Sequence, residues 1–386
     1  MKRIFPWLAL AVLMGGALAG CSGFQIPPAA YAMSTQEVIT IQAPTDTPTP
    51  IPPTATAEHF KLKPTSTPLP SATPFVSPLH YKLNSFSQGI DPLTDLPVSN
   101  LSLLQRRPMA VKVTNFPRSV RPQWGLSLAD NVYEYYLENL ITRFIGVFYG
   151  QDASRVGPVR SGRFFDEHIV RMYKSIFVFA YADDRVVKPW TEYNTLYVNT
   201  QQLTQYINDR GTNNDRQDLN GFVFDAYPPI SNQPGEKVSV YYSFVSYNQW
   251  VYDPATHRYL RFQETQDAKD GQEAYAPLTD SLTGEQLAAD NLVVLLIPHE
   301  YYIHTKTTEM VKMKFFGSGD AYAFRDGKMY AVRWERDQAT DLLQLKFPDG
   351  LYYPLKPGNI WFEVLGETSN VMQKADHSWR FEFAIP

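Results

Sequence analysis

Three arginines, Arg155, Arg160 and Arg163, fall within nine residues in the stretch RVGPVRSGRFFDEH, and Arg143 stands upstream in the apolar run ITRFIGVFY. A guanidinium fork matches a carboxylate or phosphate through paired, planar hydrogen bonds, so such a group is equipment for holding an anion. The nearest acids are Asp130 and Glu134. They and Asp166 can act in either of two ways. In one, the charges pair among themselves, Glu134 with Arg143 across a hairpin and Glu167 with Arg163 one helical turn on. In the other, an acid serves as base beside a phosphoryl group whose transfer the arginines stabilise. Trp124, in the loop RPQWGLS beside Arg121, is the tryptophan expected at the surface, where its ring could meet a sugar. Trp190, Trp250, Trp334 and Trp361 read as core.

Other motifs carry less chemistry. HEYYIH, His299 to His304, spaces its histidines five apart, which on a strand sends them to opposite faces and differs from the zinc pattern H-E-x-x-H. DRQDLNG, Asp215 to Gly221, shares only composition with a calcium loop, because Gln217, Leu219 and Ala226 occupy positions where ligands are required. Walker A, G-x-S-x-G and dinucleotide-binding glycine patterns are absent. No metal or cofactor is therefore expected.

The elements that must position these residues are legible in part. Met109 to Thr114 reads as a strand, and Asn131 to Leu137 with Ile141 to Tyr149 as a hairpin. Phe164, Phe165, His168, Ile169, Met172 and Tyr173 recur at helical spacing, which predicts a helix to about Tyr173 with Ser161 as its N-cap; if it begins by Arg160, Arg160 and Arg163 face the same way. Arginines at that end oppose the helix dipole by about 0.3 to 1 kcal/mol each, unless an anion sits there. Ser175 to Tyr181 reads as the next strand. After Pro234-Gly235 come β-rich runs such as KVSVYYSFV, HRYLRF, NLVVLLI, KMYAVRW and NIWFEVL, separated by turns that include Asp253-Pro254 and Asp326-Gly327. The expected fold class is α+β. An α/β N-terminal domain with hairpin and helix spans 84–235, and a mostly antiparallel β C-terminal domain spans 236–386.

Ahead of these, MKRIFPWLALAVLMGGALAGCSG has a basic start, a short apolar run and small residues before Cys21, the single cysteine of the chain. This reads as a lipoprotein signal peptide over 1–20, with Cys21 acylated and the membrane reached through that lipid anchor. One cysteine excludes an intrachain disulfide and a thiolate metal site. Residues 21–83 form the anchor and a spacer; 21 of the 35 residues from Pro44 to Pro78 are Pro, Thr or Ser, too polar to bury a core. A net charge of −4 with pI near 6.0 offers no basic field for nucleic acid.

DPLTDLPVS, RRPMAVKVTN, RPQWGLSLADNVYE, ITRFIGVFYG and GPVRSGR resemble, in order and spacing, the first domain of the YerB-like bacterial lipoproteins. DSLTGEQLAADNLVVLL, GSGDAYAFRDGKMYAVRWER and YPLKPGNIWFEVL resemble that family's C-terminal domain. Two features depart from its pattern. Gly162 and Phe164 replace an alanine and a proline, and the Asp/Asn-rich middle lacks an expected segment bearing arginine and histidine. The family has no established biochemical activity, so the resemblance implies an extracytoplasmic location and a fold without implying a mechanism.

These readings converge on a cell-envelope lipoprotein that binds an anionic ligand, a wall polymer or a phosphorylated precursor, with Arg143, Arg160, Arg163, Asp130, Glu134 and Trp124 as candidate ligand-binding residues. A hydrolase or phosphotransferase acting on that ligand, and a scaffold for another envelope protein, are the alternatives.

Overall fold

The computed structural model describes residues 86–192, 197–199 and 219–386. Cys21, the leader, the spacer and most of the Asn/Asp-rich stretch lie outside these residues. The centre of the fold is a ten-stranded sheet with strand order Gln344–Lys346, Lys328–Arg336, Gly317–Arg325, Asn291–Ile297, Ile360–Gly366, Asn131–Tyr136, Thr142–Phe148, Met109–Thr114, Ile176–Phe179 and Tyr197–Asn199. Its middle strands are buried along their whole length. That explains why their sequences run as unbroken aromatic and β-branched stretches instead of alternating with polar residues.

The expected hairpin is present, with Tyr135 opposite Arg143 and Glu134 opposite Phe144. Asp326-Gly327, both at positive φ, turns the hairpin of Gly317–Arg325 with Lys328–Arg336. The sheet also joins what the sequence keeps apart. Ile360–Gly366 runs parallel to Asn131–Tyr136 on one side and to Asn291–Ile297 on the other, so strands from both sides of residue 236 share one sheet. The N-terminal segment is not the α/β unit expected. Among the described residues two α-helices, Asp166–Tyr173 and Asp184–Glu192, accompany many strands, and the fold is mostly β.

Each face of the sheet has its own cover. Val111, Val113, Val132, Phe144 and Trp361 pack against a second sheet through Val238, Val240, Trp250, Tyr259 and Phe381. On the other face Ala110, Tyr133, Ile145 and Phe362 meet Ile169, Met172 and Tyr173 of the helix, together with Phe222 and Leu343. A two-stranded ribbon, His299–His304 with Glu309–Met313, stands outside both sheets. HEYYIH forms its first strand, burying His299 and exposing His304.

The helix begins at Asp166, five residues after Ser161, which does not cap it. Arg160 is held in extended chain instead: its N–H donates to the Lys112 carbonyl, and its own carbonyl accepts from Ala180. Asp166 and Glu167 then occupy the first turn, where carboxylates suit the dipole. The arginines are therefore not at a helix start.

Candidate functional site

Because side chains alternate along a strand, the pairing of Tyr135 with Arg143 puts Glu134 and Arg143 on opposite faces of the sheet. The expected ion pair between them does not form. Glu134 points between the two sheets, where its Oε2 accepts from Arg261 Nη2 at 2.6 Å; Glu363 Oε1 accepts from Arg261 Nη1 at 3.0 Å. Asn115, Thr142, Asn248, Tyr242 and Trp250 supply further donors to the two carboxylates. The Arg261 guanidinium also lies over the rings of Phe144, Trp250 and Trp361. Burial, helped by the neighbouring Glu134, pushes Glu363 up to about 7, against the pull of Arg261. All three charged side chains are fully buried, so this cluster holds the sheets together and is closed to a ligand.

Arg143 lies on the other face under the Arg160–Arg163 segment. Its Nη1 donates to the Ser161 carbonyl at 2.8 Å, and its buried Nε has no partner. No carboxylate pairs with it among the described residues. Burial, then the nearby Arg163, lowers its pKa to about 10. Arg336 is also buried without a carboxylate, but its donors reach the carbonyls of Phe315, His168, Ala339 and Asp341. Arg143 has no such set.

Arg163 pairs with Glu138 at the hairpin turn, with Nε to Oε2 at 2.8 Å, and not with Glu167, which takes Arg171. Its backbone N–H donates to Asp166 Oδ2 at 2.7 Å, while Asp166 Oδ1 accepts from the fully buried Lys112 at 2.9 Å and from the Tyr135 hydroxyl. Burial pushes Lys112 down to about 7 against the attraction of Asp166. Arg160 is exposed and has no ion pair among the described residues. A cleft of about 270 Å³ is walled by Glu138, Asn139, Ser161, Arg163, Tyr181, Asp183, Arg185 and the ribbon turn at Thr307 to Glu309; Arg143 and Arg160 adjoin it at Ser161 without lining it. Arg185 pairs with Asp183 at 2.7 Å, and Glu309 accepts from the Tyr136 hydroxyl and the Asn139 N–H.

Asp130 belongs to neither place. It sits 2 % exposed in the wall of a second cleft of about 450 Å³, with Asp91 beside it, each carboxyl close enough to influence the other. Asp130 Oδ2 accepts the N–H groups of Tyr149 and Gly150, and Asp91 Oδ1 that of Leu93 at 2.9 Å. Burial raises both carboxyls, Asp91 to about 6, and each neighbours the other, so the pair holds a proton where a lone carboxyl would not. Gly150 allows the approach, because a Cβ there would lie 2.2 Å from Asp91 Oδ2. Arg258, Asp290 and Asn359 line the far wall. Trp124 is half-buried instead of exposed, with the Arg155 guanidinium 4.1 Å above its ring.

Sequence reasoning missed Asp91, Glu138, Tyr181 and Arg261. DPLTDLPVS, from which Asp91, Thr94 and Leu96 to Ser99 line the larger cleft, was the available signal for the first. Arg261, in HRYLRF, gave none, since a strand arginine reads as surface until a second sheet covers it. Among the described residues no group of histidine, cysteine and acids could hold a metal, and no helix is long and apolar enough to cross a membrane.

Comparison with known proteins agrees with this architecture. The curated protein "Putative lipoprotein YerB" of Bacillus subtilis is 26% identical over 304 residues, 71% of this chain and 85% of that protein. The crystal structure of YerB from Bacillus subtilis superposes with a TM-score of 0.58 at 25% identity, covering 72% of this chain and 96% of that one. Residues 93–222 match the N-terminal domain, and residues 238–362 the C-terminal domain, of "Protein of unknown function (DUF3048)", so the chain belongs to this YerB-like family.

Proposed function

We propose that this protein is a cell-envelope lipoprotein, exported and acylated at Cys21, that holds an anionic ligand in the cleft beside Arg143, Arg160 and Arg163. A wall polymer or a phosphorylated precursor is the ligand class. The observation that carries the reading is the charge balance of this corner. Lys112 is matched by Asp166, Arg163 by Glu138 and Arg185 by Asp183; Arg143 and Arg160 have no ion pair among the described residues, while the carboxylate of Glu309 is held by the Tyr136 hydroxyl and the Asn139 N–H. A buried guanidinium without a counterion costs several kcal/mol of desolvation, and an anion beside it offsets that cost. The name of the Bacillus subtilis relative supports the lipid anchor. The ends of the two family matches, at 222 and 238, support a boundary near 236.

Binding of poly(glycerol phosphate) to wild type, Arg143→Gln and Arg160→Gln tests the anion site. Each variant is expected to bind more weakly and with a shallower salt dependence, because fewer counterions are released per complex. Unchanged affinity and slope in both would remove the reading. The anchor is tested separately: Cys21→Ser should abolish incorporation of a fatty-acid label in cells, and equal label would exclude acylation at this cysteine.

A second reading, an acid-base enzyme, is favoured by the Asp91–Asp130 pair in the wall of the larger cleft, since two carboxyls sharing a proton can act as acid and base. Turnover of a wall polymer that rises and falls with pH and is lost in Asp130→Asn is its signature.

A further inference from the structure

We infer that the ligand of the smaller cleft is an acidic sugar, its ring resting on Tyr181 and its anionic group facing Arg163 at the edge next to Arg160. The inference rests on the anion reading and adds the ligand class. Tyr181 is 66% exposed, among the highest values for a large apolar side chain here, yet its backbone is fixed: its carbonyl accepts from the Gly162 N–H at 2.7 Å. That bond sets Tyr181 beside Ser161 and Arg163 on the wall of the cleft. An exposed aromatic ring on a pinned backbone presents a flat apolar face at small entropic cost, and the C–H face of a sugar ring is its natural complement.

The rest of the wall fits the same ligand. Asn139, Ser161, Thr307 and Thr308 are neutral polar side chains suited to sugar hydroxyls, and Asp183 and Arg185 bring an acceptor and a donor to the rim. Tyr302, 45% exposed on the ribbon with Lys312 4.0 Å above its ring, lies close enough to Arg185 for its hydroxyl to influence that charge, as does Tyr181. A simple inorganic anion would use the arginines and leave the tyrosine idle.

Titration of the full chain with trigalacturonate, glucose 1-phosphate, inorganic phosphate and neutral maltotriose separates these possibilities, and comparing the first two distinguishes a carboxylate sugar from a phosphate sugar. Tyr181→Ala should weaken whichever acidic sugar binds by about tenfold, the scale of one lost aromatic contact, and leave inorganic phosphate unaffected. Tyr181→Phe should bind like wild type, because the ring and not the hydroxyl carries the contact. Arg163→Gln and the exposed Arg160→Gln should weaken acidic sugars and phosphate together. If Tyr181→Ala binds the acidic sugars as wild type does while the arginine variants lose affinity, the sugar inference fails and the anion reading stands. Wild-type protein that takes phosphate but neither acidic sugar likewise ends the sugar inference and leaves the anion reading in place. Maltotriose binding as tight as that of either acidic sugar, arginine variants indistinguishable from wild type, or no binding of any probe, overturns both.

Discussion

Arg261 and Arg143 are both removed from water beside the same pair of strands, one on each face, and the protein treats them in opposite ways. Arg261 is met by two carboxylates and three aromatic rings. Arg143 is met by one carbonyl, with Arg163 and, beyond ion-pair distance, Glu138 nearby. A charge that exists for structure is matched where it lies, because leaving it unmatched would cost more than the fold can spare. A charge left unmatched and close to a cleft is consistent with a partner arriving from outside. Burial alone does not separate the two; the inventory of counter-charges does.

The comparison breaks most readily at Arg261. Arg261→Met leaves Glu134 and Glu363 buried without their cation and should cost about 3 to 5 kcal/mol in chemical denaturation, while the same change with Glu134→Gln and Glu363→Gln should recover much of it. A loss below about 1 kcal/mol in the single variant would mean that the cluster is not matched as described.

The next effect concerns carboxyls that answer each other instead of a cation. Asp91 titrates near 6 in the fold and near the ordinary aspartate value once unfolded, so the native state binds its proton more tightly. The pair is therefore most favourable below about pH 4, and its contribution falls as pH rises to about 6, by on the order of 2 to 3 kcal/mol. Melting of Asp91→Asn should show a smaller decline, the remainder coming from Asp130, which burial also raises. Parallel pH profiles for variant and wild type would show that the two carboxyls do not share a proton.

Arg143→Met sharpens the contrast from the other side. Replacing an unmatched buried cation with an apolar chain should leave stability equal or raise it by roughly 1 kcal/mol, while polyanion binding weakens. Destabilisation by several kcal/mol with binding intact would give Arg143 the same structural role as Arg261. The smallest effect is expected at Arg160→Gln, within about 0.5 kcal/mol in stability, as for other exposed sites. Any larger cost would point to a contact that its exposed side chain does not make.

Much of the local structure was legible and some of the rest was legible but misread. The hairpin strands announced themselves by aromatic and β-branched content, and Asp326-Gly327 by its turn chemistry. The start of the helix also had a signal, the Asp166-Glu167 pair that suits its dipole, but apolar spacing continues back through Phe164 and hides the boundary. What placed Arg160 in extended chain was its bonding to Lys112 and Ala180, residues far from it in sequence or beyond the helix.

The amino-acid sequence by itself determined which segments become strands, where the tight turns fall and that a Pro/Thr/Ser tract precedes the folded part, because each depends on neighbours within a few residues. Only the tertiary structure decided the functional geography. The register of one hairpin sends Glu134 to one face and Arg143 to the other, and a slip of one residue would exchange them. The insertion of Ile360–Gly366 beside Asn131–Tyr136 brings Glu363 to Glu134 across more than two hundred residues of chain, and the second sheet then closes over both with Arg261 between them. Side-chain identity fixes what charge a residue carries. Whether that charge is sealed in or left open to a ligand follows from which distant strand covers it, and that depends on packing the whole chain at once.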